Sequence, residues 1–209
     1  MSTNAKLSFK LSRKALLLSC FTVGYNVLEG VVSIIVGELA GSIALVGFGL
    51  DSFVESLSGG VMIWRFRKHG KLSEEEEENI ERKAEKFVGY SFFVLAIYVL
   101  YESINKLVSQ ETADPSLFGI VIAIVSLIVM PILFYQKYKI GKALGSRSLI
   151  ADSKETLACM FLSFALLVGL GANYLFNLWQ ADPIVGLIIV IFLVKEGIET
   201  LRGEVPDID

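Results

Sequence analysis

Six stretches of this chain are predominantly apolar for about 20 residues or more, the length a helix needs to cross a hydrocarbon core of ~30 Å. They cover residues 15–36, 41–65, 86–108, 116–138, 148–176 and 182–201. In lipid every backbone polar group must find a partner within the protein, so only helices and closed barrels span. The runs show no period-2 alternation, which selects helices. With 54% of its 209 residues hydrophobic, the chain has the bilayer rather than water as its solvent. The expectation is an all-α integral membrane protein, one transmembrane domain over residues 1–209, with no soluble domain at either end. The first run starts near Ala15 and continues past any small-residue cleavage site, so it reads as a retained helix. Cys20 and Cys159 both lie inside apolar runs and suggest no disulfide framework.

Lys and Arg set the orientation. The N-terminal segment carries Lys6, Lys10, Arg13 and Lys14. The connection between spans two and three, with its flanks, carries Arg65, Arg67, Lys68, Lys71, Arg82, Lys83 and Lys86. The connection between spans four and five carries Lys137, Lys139, Lys142 and Arg147. The opposite side offers Lys106 against Glu38, Glu111, Asp114 and Asp182. Both termini are therefore expected in the cytoplasm, in a multi-pass protein of the plasma (inner) membrane. Ser73 followed by Glu76 reads as a capping box opening a polar extension of span three. Pro115 marks the start of span four. Asp182 before Pro183 reads as an N-cap with proline at the first helical position. Pro131 falls inside span four and predicts a kink there.

The sequence also echoes itself. Gly41-Ser42, Leu45, Asp51 and Glu55 recur 104 residues later as Gly145-Ser146, Leu149, Glu155 and Cys159, without a gap. Three spans separate the copies, so the two three-helix halves run in opposite directions through the membrane. Inverted-repeat transporters are built this way, with substrate sites near the midplane at the repeat interface. The echo predicts that spans two and five meet antiparallel, with their polar pairs at similar depth.

Residues four apart lie one turn above each other on a helix. Asp51 with Glu55, and Glu155 with Cys159, therefore form two paired faces. A carboxylate at mid-bilayer costs from roughly 2.5–3.5 kcal/mol upward on insertion scales. Two on one face need a cation, protons or a water-filled path. Together the faces supply four donors, the number a tetrahedral Zn²⁺ site takes. The plainer alternative is interhelical hydrogen bonding for the carboxylates and simple packing for the thiol. Asn26 and Glu29 in span one sit where they line the same cavity or bond between helices. Asp152, a turn before Glu155, reads as an entrance charge or an auxiliary group. Lys195 and Glu199 read as an i,i+4 ion pair near the cytoplasmic end of span six, with Glu196 beside them. His69, the single histidine, stands on a basic loop before the run Glu74–Glu78 and reads as solvated.

Gly41-Ser42-Ile43-Ala44-Leu45 with Asp51 and Glu55 resembles the second helix of cation diffusion facilitator (cation efflux) transporters. Ser148-Leu149-Ile150-Ala151-Asp152 with Glu155 and Cys159 resembles their fifth helix, and Ala181-Asp182-Pro183-Ile184 the start of their sixth. The resemblance covers all six spans in order. It implies a dimeric exporter of Zn²⁺ and related divalent cations, coupled to proton entry, with its metal site on helices two and five. On that resemblance Asp51 and Glu55 take the helix-two ligand positions. Glu155 stands where histidine or aspartate is usual, and Cys159 where aspartate is usual. Phe48 replaces a common helix-two aspartate, while Asp152 keeps the helix-five equivalent. The family's C-terminal cytoplasmic domain is expected to be missing.

The residues and the resemblance converge on a divalent metal cation transporter. Three carboxylates and a thiol near one point cannot all stay ionised without a cation. Metal binding then expels protons and metal release takes them back, which is proton-coupled antiport in minimal form. The alternative from another class is a non-transporting metal sensor or accessory subunit. An enzyme is not expected, since the chain has no HExxH and no GxSxG motif. No permanently bound cofactor and no nucleic-acid partner are expected. The thiol leans toward Zn²⁺ or Cd²⁺, whereas carboxylates also suit Mn²⁺, Co²⁺ and Fe²⁺. The implied partners are the metal ion, protons, the lipid bilayer and a second copy of the chain.

Overall fold

The computed structural model of the protein describes residues 3–68, 74–114 and 116–202. The described residues form six helices: α1 (Thr3–Ala40), α2 (Ile43–Lys68), α3 (Glu74–Ser109), α4 (Leu117–Leu144), α5 (Arg147–Phe176) and α6 (Ala181–Arg202). Each of the six expected stretches is helical. Four are long and apolar enough to cross a membrane on their own composition, within Lys10–Ala40, Gly89–Ser109, Leu117–Leu144 and Ser148–Phe176. Helices α2 and α6 fall short because they carry interior charge, Asp51 and Glu55 in one, Lys195 and Glu196 in the other. His69, Ser73 and Pro115 lie outside the described residues.

Neighbouring helices alternate in direction. Gly30 approaches Gly49, and Gly37 approaches Val46, so α1 and α2 are antiparallel. Gly89 faces Leu201 and Gly186 faces Ser103, so α3 and α6 are antiparallel. Gly119 meets both Leu45 and Leu170, while Arg65 at the far end of α2 donates to Ser148 at the start of α5. Helices α2 and α5 therefore meet antiparallel, as the echo predicts. The start of α1 and the end of α6 lie at the same end of the bundle.

The outer surface is apolar. Leu28, Ile35, Tyr101, Phe118, Ile128, Phe164 and Ile191 are among the large exposed side chains. In water such a surface would drive aggregation, and in a bilayer it faces acyl chains. Within the bundle Leu45, Phe48, Val99, Leu166 and Ile189 pack in one continuous apolar core. Helix α2 is its centre, in contact with α1, α3, α5 and α6.

The two corners that open α2 and α5 are built alike. Gly41 and Gly145 both take the left-handed conformation, φ 60° and 65°. Ser42 Oγ accepts from the Leu45 N–H at 3.1 Å, and Ser146 Oγ from the Leu149 N–H at 3.4 Å. The Ser42 N–H donates to the Gly37 carbonyl and the Ser146 N–H to the Gly141 carbonyl, at 2.8 and 3.0 Å. Each pair of positions again differs by 104, so the repeat extends into backbone geometry. A Cβ at Gly41 or Gly145 would meet nothing within 4 Å. Gly41→Ala and Gly145→Ala should therefore act through backbone strain alone, each lowering stability by about 1–2 kcal/mol. Thermal melts in detergent would check this, and unchanged melting of both variants would remove strain from the corners.

Two local expectations are corrected. Asp182 does not cap its own helix. Its carboxylate accepts from the Ser42 hydroxyl and, at 3.0 Å, from the Ile43 N–H, so it holds the N-terminus of α2. The sequence pattern is the same for either use, because an aspartate satisfies whichever free N–H groups packing brings near. Lys106, 4.0 Å from Asp182, donates to the Gly41 carbonyl and closes this clasp. The second correction concerns Lys137, expected in a cytoplasmic connection. It lies inside α4 and is fully buried. Helix α4 itself continues through Pro131.

Candidate metal centre

Asp51, Glu55 and Glu155 come together on the wall of one cavity between α2, α3, α5 and α6. Their helices place them there for a simple reason. Asp51 and Glu55 are one turn apart on α2, and Glu155 enters from the antiparallel α5 at matching depth. Glu196 of α6 joins them, and Phe92, Leu162, Phe192 and Leu193 supply the apolar part of the wall. The lining thus holds four carboxylates and no basic side chain.

Behind Glu55 stands a second polar layer. Thr156 Oγ1 donates to Glu55 Oε1 at 2.7 Å and accepts from Lys137 Nζ at 2.8 Å. Lys137 Nζ lies 2.9 Å from Asp152 Oδ2 and 3.8 Å from Glu55 Oε1. Asp152 is 1% exposed, so it is an interior ion-pair partner rather than an entrance charge. The Ser58 hydroxyl bridges from α2, 3.5 Å from Asp152 Oδ1. Glu55 Oε2 and Glu155 Oε2 are buried without a hydrogen-bond partner.

One turn further toward the α1–α2 corner lies Glu29. It accepts from the Tyr25 hydroxyl at 2.8 Å and the Ser52 hydroxyl at 3.1 Å. Ser163 donates to Ser126 across α4 and α5 at 2.8 Å. Asn26 sits beside Glu55, fully buried, and neither its Nδ2 nor its Oδ1 completes a hydrogen bond. Asn26 and Glu29 thus extend the polar interior from the cavity into the α1–α2 interface.

Cys159 is buried at 1% exposure beside Glu55 but does not line the cavity. Four residues advance a helix by ~400°, so Cys159 is turned ~40° from Glu155. The cavity face of α5 runs through Glu155, Ala158 and Leu162, and Cys159 shares the adjacent face with Thr156 and Ser163. Among the described residues no three acidic, thiol or imidazole side chains close on a single point at metal-ligand distance. The carboxylates share a cavity wall rather than a preformed cage.

The sequence reading missed Glu196 and Lys137 as members of this site. The ion pair between Lys195 and Glu199 forms as expected, at 3.5 Å, and Glu196 points the other way. For Lys137 a signal exists. Gly119, Ala123, Ser126, Met130, Leu133, Lys137 and Gly141 form one buried stripe at helical spacing, and the lysine is in register with it.

Residues 20–208 match the family described as the cation efflux transmembrane domain. The chain belongs to the cation efflux family. Among similar proteins, transmembrane protein 163 of Xenopus laevis is 26% identical over 196 residues, covering 93% of this chain and 68% of that protein. Magnetosome protein MamB of Magnetospira sp. (strain QH-2) is 28% identical over 181 residues, 85% of this chain and 60% of its own length. An uncharacterized transporter of Methanocaldococcus jannaschii is 26% identical over 192 residues, 87% of this chain and 68% of that protein. The chain therefore spans 60–68% of the length of these relatives. The family's description is of a transmembrane domain for cation efflux, and the Methanocaldococcus protein is named a transporter.

Proposed function

We propose that this protein exports a divalent transition metal, Zn²⁺ foremost, in exchange for protons. In this reading it spans the plasma (inner) membrane six times with both termini cytoplasmic, and it works as a homodimer as the family resemblance implies. The observation that carries the proposal is the cavity wall on which α2 and α5, equivalent helices of the two halves, both present carboxylates. Buried carboxylates without basic neighbours in the lining need a cation or protons to neutralise them. Either occupant satisfies them, so each displaces the other, and displacement is the coupling. Asp51, Glu55 and Glu155 are the ligands from α2 and α5, with Cys159 completing the set when α5 turns by the ~40° that separates its two faces. Asn26, Glu29 and Asp152 are auxiliary groups beside the site or on the proton path, with Asp152 held in its ion pair with Lys137.

Sealed proteoliposomes with an imposed pH gradient test the function. A panel of Zn²⁺, Cd²⁺, Co²⁺, Mn²⁺ and Fe²⁺ should show uphill metal movement that collapses when the gradient is dissipated. Metal binding without any flux would instead mark a sensor or accessory subunit.

Cys159 gives a sharper test of the ligand set. Thiolates favour Zn²⁺ and Cd²⁺ over Mn²⁺ more than carboxylates do. Cys159→Ala should slow Zn²⁺ and Cd²⁺ transport about tenfold or more, whereas Cys159→Asp should keep transport and shift preference toward Mn²⁺ and Co²⁺. An Ala variant that carries every metal like the parent would leave Cys159 a packing residue.

A further inference from the structure

We propose that Lys137 is a tethered cation that competes with the transported metal for Glu55, and that Asp152 is the positioning residue that restrains it. The inference rests on the metal reading of the Asp51–Glu55–Glu155 wall. Lys137 is 0% exposed, and its Nζ is held by Asp152, Thr156 and, more distantly, Glu55. A buried ammonium is tolerated only where carboxylates and hydrogen bonds compensate its desolvation. An ammonium has three donors and no acceptor, so it cannot ligate a metal. It can only repel one.

The repeat shows that the fold itself does not require this charge. The positions 104 residues before Lys137 and Asp152 are Ser33 and Phe48. The first half makes the same glycine-serine corner with that serine and phenylalanine fully buried. The second half makes it with an ion pair, and the pair sits directly behind a cavity carboxylate. Glu55 is the shared group. Its Oε1 is engaged by Thr156 and approached by Lys137, while its Oε2 has no partner and the residue lines the cavity. A metal at Glu55 therefore faces a fixed positive charge across one carboxylate. Such an arrangement weakens binding and speeds release, which suits a site that must empty on every cycle.

The distances give Asp152 the opposite effect from Lys137. Asp152 holds Nζ at 2.9 Å, closer than Glu55 at 3.8 Å. Neutralising Asp152 leaves Glu55 as the nearest remaining carboxylate for the ammonium, so Lys137 then blocks the metal more strongly. Removing Lys137 frees Glu55 and unmasks its full charge. A merely structural pair predicts no such opposition, because breaking it from either side destabilises in the same direction.

Purified protein would be titrated with Zn²⁺ at one fixed pH, with melting curves recorded for every variant. Lys137→Met should tighten Zn²⁺ binding at least about tenfold and slow Zn²⁺ release in proteoliposomes. Asp152→Asn should weaken binding at least about tenfold. The double variant Lys137→Met/Asp152→Asn removes the pair without stranding either charge, and it should bind as tightly as Lys137→Met. Affinities per folded molecule within twofold of the parent for both Lys137 variants would overturn the inference, as would tightening by Asp152→Asn. A double variant that does not fold makes the pair structural and overturns it too. Glu55→Gln separates this from the metal reading: if that variant binds Zn²⁺ like the parent, the site itself is wrong and both fall together.

Discussion

Asp51→Asn and Glu55→Gln are each expected to cut metal transport at least about 100-fold, and Asp51→Asn to leave the protein as stable as the parent or more so. The size follows from ligand chemistry. Loss of a group one step removed from a metal costs about 10–100-fold, and these residues are proposed as direct ligands. No neighbour on α2 replaces them. Ser52 is committed to Glu29 and the Phe48 carbonyl, and Ser56 to the Ser52 carbonyl. The stability half of the prediction follows from burial. Asp51 is 6% exposed beside Glu55, in a wall without basic side chains. An uncompensated carboxylate inside an apolar bundle destabilises the fold, and its amide does not. Function and stability thus move apart, as they do where a strained site is kept for its chemistry. If the two carboxylates were only interhelical glue, the amides would preserve the bonds and transport together. Flux and melting temperature measured on the same preparations decide between the two. Parent-like flux in both variants removes α2 from the metal site.

Much of this site is legible in the sequence, and the parts that are not share one cause. Run length and the absence of period-2 alternation place all six helices, because lipid leaves the backbone so few choices, but not the polar turns that carry α1 back to Thr3 and α4 on to Leu144. The Gly-Ser echo gives the α2–α5 contact, because a left-handed glycine and a capping serine are local requirements that survive when the surrounding side chains differ. Depth along the membrane is equally legible, and it puts Asp51, Glu55 and Glu155 in one layer. Rotation about the helix axis is the weak point. An i,i+4 pair is a face only to within ~40°, and that angle separates Glu155 on the cavity wall from Cys159 behind it. Glu196 was masked by the ion pair of Lys195 with Glu199, which draws attention to the outer face of α6. Lys137 was misplaced because charge counting locates lysines along the chain without asking which way they point. Long side chains near a helix end usually snorkel outward. Here the buried stripe of α4 carries the lysine inward to Asp152. Asp182 shows the same limit at a helix start, where a capping residue is recognisable but the helix it caps is chosen by packing.

Proton competition gives the second large effect. Apparent metal affinity should fall as pH drops from 8 to 5.5, by about tenfold for each proton displaced per pH unit where the wall carboxylates titrate. The sign follows from which form binds. Metal needs the carboxylates ionised, and a proton on Asp51, Glu55, Glu155 or Glu196 removes a ligand charge, so acid weakens binding. The wall offers four such groups and no basic residue to hold them ionised from within the lining. In the proposed coupling, protons and metal are alternative ways of neutralising the same wall, and their exchange ratio is the slope of log affinity against pH. The same exchange should appear as proton release when Zn²⁺ is added to weakly buffered protein. Removing one wall carboxylate lowers the number of exchangeable protons, so Glu196→Gln should flatten the slope by up to one proton per metal while Lys195→Gln leaves it unchanged. Lys195 is the control because its side chain is 60% exposed and its ion pair faces away from the cavity. An affinity that stays flat from pH 8 to 5.5, with no protons released on metal addition, would sink the coupling mechanism even if metal crosses the membrane.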